Sequence, residues 1–161
     1  KGNFCLDIGK PCFDKYIFIV QFLCFDMQNE RFIKLNESYS KNLSSSEDYL
    51  ELIYRFTLQN KDFKAVDIAR EMNISRASVS EALKKLSEKG YLQYEKYKKI
   101  KLTEKGISVA KEVLLKHTVL CSFFKDFLNL SDEESIINAC RIEHVITPSA
   151  FFKIKNLVES L

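Results

Sequence analysis

The chain is poor in helix breakers, with four glycines and two prolines in 161 residues. Long helices therefore meet few interruptions. It has no CxxC pair, and its five cysteines (Cys5, Cys12, Cys24, Cys121, Cys140) are odd in number. That usage suggests neither a disulfide framework nor a structural zinc ribbon, and free thiols in a reducing cytosol are the simpler reading. No apolar run is long enough for a membrane span: the longest, Tyr16 to Phe25, is about half of the ~20 residues required. Asp7, Asp14 and Lys15 lie before or beside it and no small-residue cleavage site follows, which argues against a secretory signal. Gly-rich phosphate loops, nucleophile elbows and HExxH patterns are missing too, so no motif points to an enzyme. Neither sign of charge dominates, with 25 basic and 22 acidic residues. Any contact with nucleic acid must then come from where the charges lie.

What is present is an ordinary globular composition, 46% hydrophobic and 29% charged, suited to one compact domain or two small ones sharing a core. The first methionine is Met27, and residues 1–26 are expected to precede the native start. Residues 27–43 are polar and without periodicity, which makes 1–43 an N-terminal extension. Ser44 with Glu47 forms a capping box that opens a helix. In it Leu50, Ile53, Tyr54 and Thr57 share one face, and Asp48 and Glu51 another. A short helix over Ala65–Met72, a turn at Asn73-Ile74-Ser75, and a third helix from Arg76 to about Lys89 follow, with Gly90 as the stop. Tyr91–Glu95 and Ile100–Thr103 read as a hairpin. Thr103 caps a long helix to about Asn129. Ser131 and Glu134 box the start of another, running to about Val145, and Thr147-Pro148 opens the last. The expected fold is mainly α: a winged helix-turn-helix DNA-binding domain over 44–103, then an all-helical domain over 104–161.

The winged part supplies candidate DNA contacts. Ser75, Ala77, Ser78 and Ser80 are small residues near the start of the third helix, able to enter a major groove without obstruction. Arg76, Lys84 and Lys85 add cations. Lys96, Lys98, Lys99 and Lys101 crowd the hairpin, where phosphates would lie. Taken singly, a lysine run is more often a solvated face. The ordered combination is what carries the reading.

A second constellation joins distant segments. Cys140, Glu143 and His144 stand at i, i+3 and i+4, on one helical face. Asp48 and Glu51 pair at i and i+3, and His117 lies between the two groups. Only two histidines occur, and both fall here. Each piece has an ordinary alternative: a buried small cysteine, a surface Glu-His pair, acidic residues favoured at a helix N-terminus.

The segments SEDYLELIY (46–54), VDIAREMNISRASVSEALKKLSEKGYL (66–92), LTEKG (102–106), Lys116-His117 and ACRIEH (139–144) resemble the diphtheria-toxin-repressor and manganese-transport-repressor family of metal-dependent regulators. The resemblance covers about Ser44 to Leu161. It implies that Asp48, Glu51, His117, Cys140, Glu143 and His144 occupy metal-ligand positions. Asp48 and Glu51 agree with the manganese-sensing branch. Cys140 departs from that branch, which has Glu there, and agrees with the iron-sensing branch, which in turn has Met where this chain has Asp48. The iron branch's accessory site uses a Glu and a His where this chain has Cys121 and Ile136.

The resemblance thus implies a cytoplasmic regulator, expected to be a repressor of metal-homeostasis genes. Its partners would be double-stranded operator DNA, a second copy of the chain and a divalent ion, with no membrane. The donor set suits Mn²⁺ or Fe²⁺, with Zn²⁺ or Co²⁺ able to substitute in vitro. For the dimer face the apolar residues Val113, Leu114, Val119, Leu120, Phe123, Phe124, Phe127, Phe151, Ile154, Leu157 and Val158 are candidates, some of them belonging to the chain's own core. Competing readings are a winged-helix sensor of an organic ligand, a metal-dependent enzyme and a dimerisation adaptor.

Overall fold

The computed structural model describes residues 45–59, 62–95 and 99–160; the N-terminal extension lies outside them. Helix α1 spans Ser46–Leu58. Its cap is Ser45, not Ser44: the Ser45 hydroxyl accepts from the Asp48 N–H and the Asp48 carboxylate accepts from the Ser45 N–H. The capping box is thus one residue downstream of the expected Ser44–Glu47 pair. α1 also buries more than one face, since Tyr49, Leu50, Leu52, Ile53, Tyr54 and Phe56 are all enclosed, whereas Thr57 is exposed. A helix enclosed this fully sits in the middle of a core. α1 packs most extensively against the later helix α4, Glu104–Ser122.

Helices α2 (Ala65–Glu71) and α3 (Arg76–Glu88) meet at a tight turn. Asn73 takes a left-handed conformation there (φ 51°), and the Ile74 N–H closes onto Ala69 O. α3 begins on Ser75, whose hydroxyl accepts from the Ser78 N–H. It ends at Gly90, where φ +74° lets the Tyr91 N–H turn back to Leu86 O. Val79, Leu83 and Leu86 face inward, as their spacing requires.

Strands β1 (Leu92–Gln93) and β2 (Lys101–Leu102) pair antiparallel, Leu92 opposite Leu102. The ladder is shorter than the two segments that announce it. Thr103 then caps α4 through the Gly106 N–H, while its own N–H returns to Tyr91 O. Gly106 is required here: a Cβ would lie 2.0 Å from the Tyr91 carbonyl oxygen. α4 is therefore locked against the hairpin by its first turn.

The α-helical hydrogen bonding of α4 stops at Ser122, earlier than expected, and widens into a π-helical turn over Phe123–Phe127. There Phe123 stacks on Phe127 at 5.8 Å and meets Phe124 edge-on. Helix α5 (Asp132–Ile142) carries the expected Ser131–Glu134 capping box but ends before Val145. Helix α6 (Pro148–Glu159) starts on the Thr147 cap.

Two apolar clusters result. The larger gathers α1, α2, α3, the hairpin and the first half of α4 (Ala110, Leu114). The smaller joins Leu120 and Cys121 of α4 to Ile136 and Ala139 of α5. α4 belongs to both. Val113, Leu114, Val119 and Leu120 are buried within the chain, which removes them from the candidate dimer face. Leu128, Phe152 and Leu157 remain exposed.

Candidate metal centre and DNA-reading face

Three elements converge on the seam between the clusters: the first turn of α1, the middle of α4 and the end of α5. Glu143 caps the C-terminus of α5 and His144 follows in the turn, so both keep near-helical placement beside Cys140. Glu143 is buried, and its carboxylate is split between two rings. Oε2 lies 2.8 Å from His117 Nδ1, and Oε1 lies 3.3 Å from His144 Nε2. His144 Nε2 also lies 2.7 Å from Asp48 Oδ1. Cys140 Sγ stands 3.7 Å from His117 Nδ1.

Two triads of potential ligands follow, His117–Cys140–Glu143 and Asp48–Glu143–His144. In each, one ligand atom per residue lies within 4.8 Å of the others. Five of the six expected ligands are thus together, with Glu143 common to both sets. Glu51 is in neither triad. It is buried nearby with its Oε1 3.8 Å from Arg55 Nε.

The electrostatics show what holds such a cluster together. Burial pushes the Glu143 carboxyl up, but hydrogen bonds from His117 and His144 outweigh this and bring its pKa down to about 2. Hydrogen bonds to Asp48 and Glu143, with one to Glu47, outweigh burial and lift His144 to about 11. Burial also works against a charged His117. The Cys140 sulfur, with Cys121 and Glu143, reverses that and leaves His117 well above its ordinary value. Glu51 is raised by burial; Arg55 opposes the rise, and Glu143 adds to it.

This is a site that demands cations. Imidazoles whose pKa values are raised favour the positive charge that buried carboxylates need, and the same donors fit a divalent metal of mixed oxygen, nitrogen and sulfur preference.

Two contacts escaped the sequence reading. Glu47 Oε2 lies 2.7 Å from His144 Nδ1. Cys121 Sγ lies 3.4 Å from His117 Nε2 and is buried. Cys121 could have been found, because it stands at i+4 from His117 on α4. Nothing local signals Glu47, whose partner is 97 residues away.

The candidate DNA contacts lie on one exposed stretch of α3: Ser75, Arg76, Ala77, Ser78, Ser80 and Lys84 all face solvent. Lys85 is exposed too and pairs with Glu81 at 2.7 Å. Lys99, at the base of the hairpin, is ion-paired with Asp62. Lys96 and Lys98 lie outside the described residues. No described helix is long and apolar enough to cross a membrane.

Comparison with known proteins matches both halves. Residues 42–100 match the family described as iron dependent repressor, N-terminal DNA binding domain. Residues 103–161 match its metal binding and dimerisation domain. An HTH-type transcriptional regulator of Methanocaldococcus jannaschii is 39% identical over 116 residues, 71% of this chain and 93% of the relative. The HTH-type transcriptional regulator MntR of Bacillus subtilis is 34% identical over 116 residues, covering 71% and 80%. Among solved structures, the manganese regulator SloR superposes with a TM-score of 0.65 at 26% identity. That match covers 73% of this chain, which spans 54% of the SloR structure's length.

Proposed function

Because this chain belongs to the iron-dependent repressor family, and is thus a metal-dependent transcriptional regulator rather than an enzyme, we propose that it grips operator DNA as a dimer when loaded with Mn²⁺ or Fe²⁺. It acts as a repressor of metal-ion homeostasis genes in the cytoplasm. The observation that carries this reading is the sharing of Glu143 between two triads, one of which takes Asp48 from α1.

Asp48, Glu143 and His144 would hold a divalent ion, and His117, Cys140 and Glu143 offer a second set of donors. Glu51, buried nearby, is a proposed further ligand. A bound divalent ion supplies positive charge that otherwise only protons provide. His144 and the carboxylates of α1 and α5 then keep their mutual placement once the imidazoles are neutral. α1 is packed into the winged-helix core, so fixing Asp48 against Glu143 fixes α3 relative to the C-terminal helices. In a two-fold dimer this sets the separation of two recognition helices, which must match half-sites ~34–36 Å apart. Metal that binds this arrangement better than others shifts the population toward it.

On the DNA side, Ser75, Arg76, Ala77, Ser78, Ser80 and Lys84 are the proposed groove-facing residues. Lys96, Lys98 and Lys99 are the proposed phosphate contacts, with Lys99 leaving Asp62 to make its own. A pair this exposed is worth little and exchanges readily. Three carboxylates favour Mn²⁺ or Fe²⁺, Cys140 brings Fe²⁺ forward, and Zn²⁺ or Co²⁺ would substitute in vitro. The test is capture of sheared genomic DNA by the purified chain, anaerobically, with Mn²⁺, with Fe²⁺ and with chelator. Selective enrichment of palindromic fragments with metal alone is the expected result; equal capture under chelation would remove the metal switch.

A further inference from the structure

His144 is the one ligand candidate whose ring is held at both nitrogens by a single helix. Nε2 faces Asp48 at 2.7 Å and Glu143 at 3.3 Å, the side on which a metal ion would sit. Nδ1 points the other way and donates its hydrogen to Glu47 Oε2 at 2.7 Å. Glu47 is half exposed, belongs to neither ligand triad, and lies in the first turn of α1. We propose that Glu47 is a positioning residue for the metal ligand His144: its carboxylate keeps the hydrogen on Nδ1 and the ring in place, so that the Nε2 lone pair is the one offered to the ion.

The physical case rests on the two nitrogens of imidazole being unequal. A neutral ring carries one hydrogen, and whichever nitrogen keeps it cannot ligate. A carboxylate on Nδ1–H selects the tautomer, restrains ring rotation and makes Nε2 the more basic donor. His144 needs such restraint. It lies beyond the last residue of α5, in a turn where the helical backbone no longer dictates its ring orientation.

In the same turn Asp48 supplies both the capping box of α1 and a contact to His144. Asp48 Oδ2 accepts from the Ser45 N–H while Oδ1 faces His144. Successive carboxylates of one helical turn thus hold opposite edges of one ring. Through Glu47, α1 controls His144 without Glu47 touching the ion.

The proposal rests on the metal site argued above, and its test separates the two. Mn²⁺ affinity is measured by competition titration for the unaltered chain, Glu47→Ala, Glu47→Gln and Glu143→Gln. The ring hydrogens of the Zn²⁺-loaded proteins are read by long-range ¹H–¹⁵N spectroscopy. Glu47→Ala is expected to bind Mn²⁺ about 10–100-fold more weakly and to lose the protected Nδ1–H signal of one histidine, His144. Glu47→Gln, whose carbonyl still accepts that hydrogen, recovers most of both. A residue that merely favoured the start of α1 by its charge would give no such rescue. Undiminished affinity in Glu47→Ala, or an unchanged Nδ1–H signal, overturns the positioning role if Glu143→Gln has lost the metal. Full metal binding in Glu143→Gln overturns the site itself.

Discussion

The two triads that meet at Glu143 differ in what they join. His117–Cys140–Glu143 lies entirely within α4 and α5, which share the smaller apolar cluster, and it includes sulfur. Asp48–Glu143–His144 reaches from the end of α5 to the first turn of α1 and uses only oxygen and nitrogen. The first is a candidate ligand set between two packed helices. The second is a tie between that pair and the helix around which the DNA-reading core is built. On the proposed function, an ion held only by the first would not join Asp48 of α1 to the C-terminal helices. One held by the second would, on the same reading, tie α1 to the end of α5. Affinity and response would then draw on different side chains, with Glu143 common to both sets.

The sharpest break of this comparison is Glu143→Gln, which strips the shared carboxylate while keeping its shape. Metal-dependent operator capture should vanish, with a loss of metal affinity beyond the ~10–100-fold typical of an outer partner. Titration calorimetry showing normal metal binding would defeat it. Next come two single-triad variants that should separate. Asp48→Asn keeps an acceptor for the α1 cap yet weakens the tie; metal should still bind at His117–Cys140–Glu143 while DNA no longer responds. Cys140→Ala should lose on the order of tenfold in affinity for Fe²⁺ yet give full DNA capture at saturating metal. If both variants show the same profile in paired metal and DNA titrations, the division of labour is wrong.

Proton linkage gives a smaller, graded effect. His144 rises from its ordinary 6.5 to about 11, so its contribution to the metal-free fold is complete below about 6.5 and is lost as pH climbs toward 11. Glu143 falls from 4.5 to about 2, so its contribution is present above about 4.5 and is lost as pH drops toward 2. These two groups together favour the metal-free chain most between those ordinary values. Metal binding runs the other way, because imidazole and thiol must shed protons to ligate, and it weakens as pH falls. Thermal melts with and without Mn²⁺ across pH 5–9 should converge at the acid end; parallel curves would contradict the exchange of protons for metal. The smallest expected effect is at the hairpin. Lys99→Ala should weaken binding to all DNA sequences and lower the salt slope by about one. An unaltered slope would mean that Lys99 stays with Asp62 in the complex.

Much of this was legible in the chain because it depends on neighbours in sequence. The caps at Ser75, Thr103, Ser131 and Thr147, the inward face of α3 and the stop at Gly90 follow from local hydrogen bonding and helical spacing. The start of α1 did not, because the run Ser44-Ser45-Ser46 offers two equivalent boxes. Ser44–Glu47 and Ser45–Asp48 satisfy the same rule; in the folded chain Asp48 makes the cap, while Glu47 meets His144 from the far end of the sequence. The division of apolar residues between core and surface was open for the same reason. Val113 and Phe152 look alike in a helical pattern, yet α1 and α5 close over the former side of α4, and the described chain leaves Phe152 exposed.

The order of elements and the winged-helix pattern were determined by the sequence alone, since spacing along a helix and cap chemistry are one-dimensional properties; the ligand set was what the family resemblance implied. Only the tertiary structure decided that Glu143 is shared, that Glu51 lies beside Arg55, and that Glu47 and Cys121 back the two imidazoles. Those outcomes depend on how α1 and α5 lie across α4. That placement comes from non-directional burial of apolar surface summed over the whole core, which no local pattern contains.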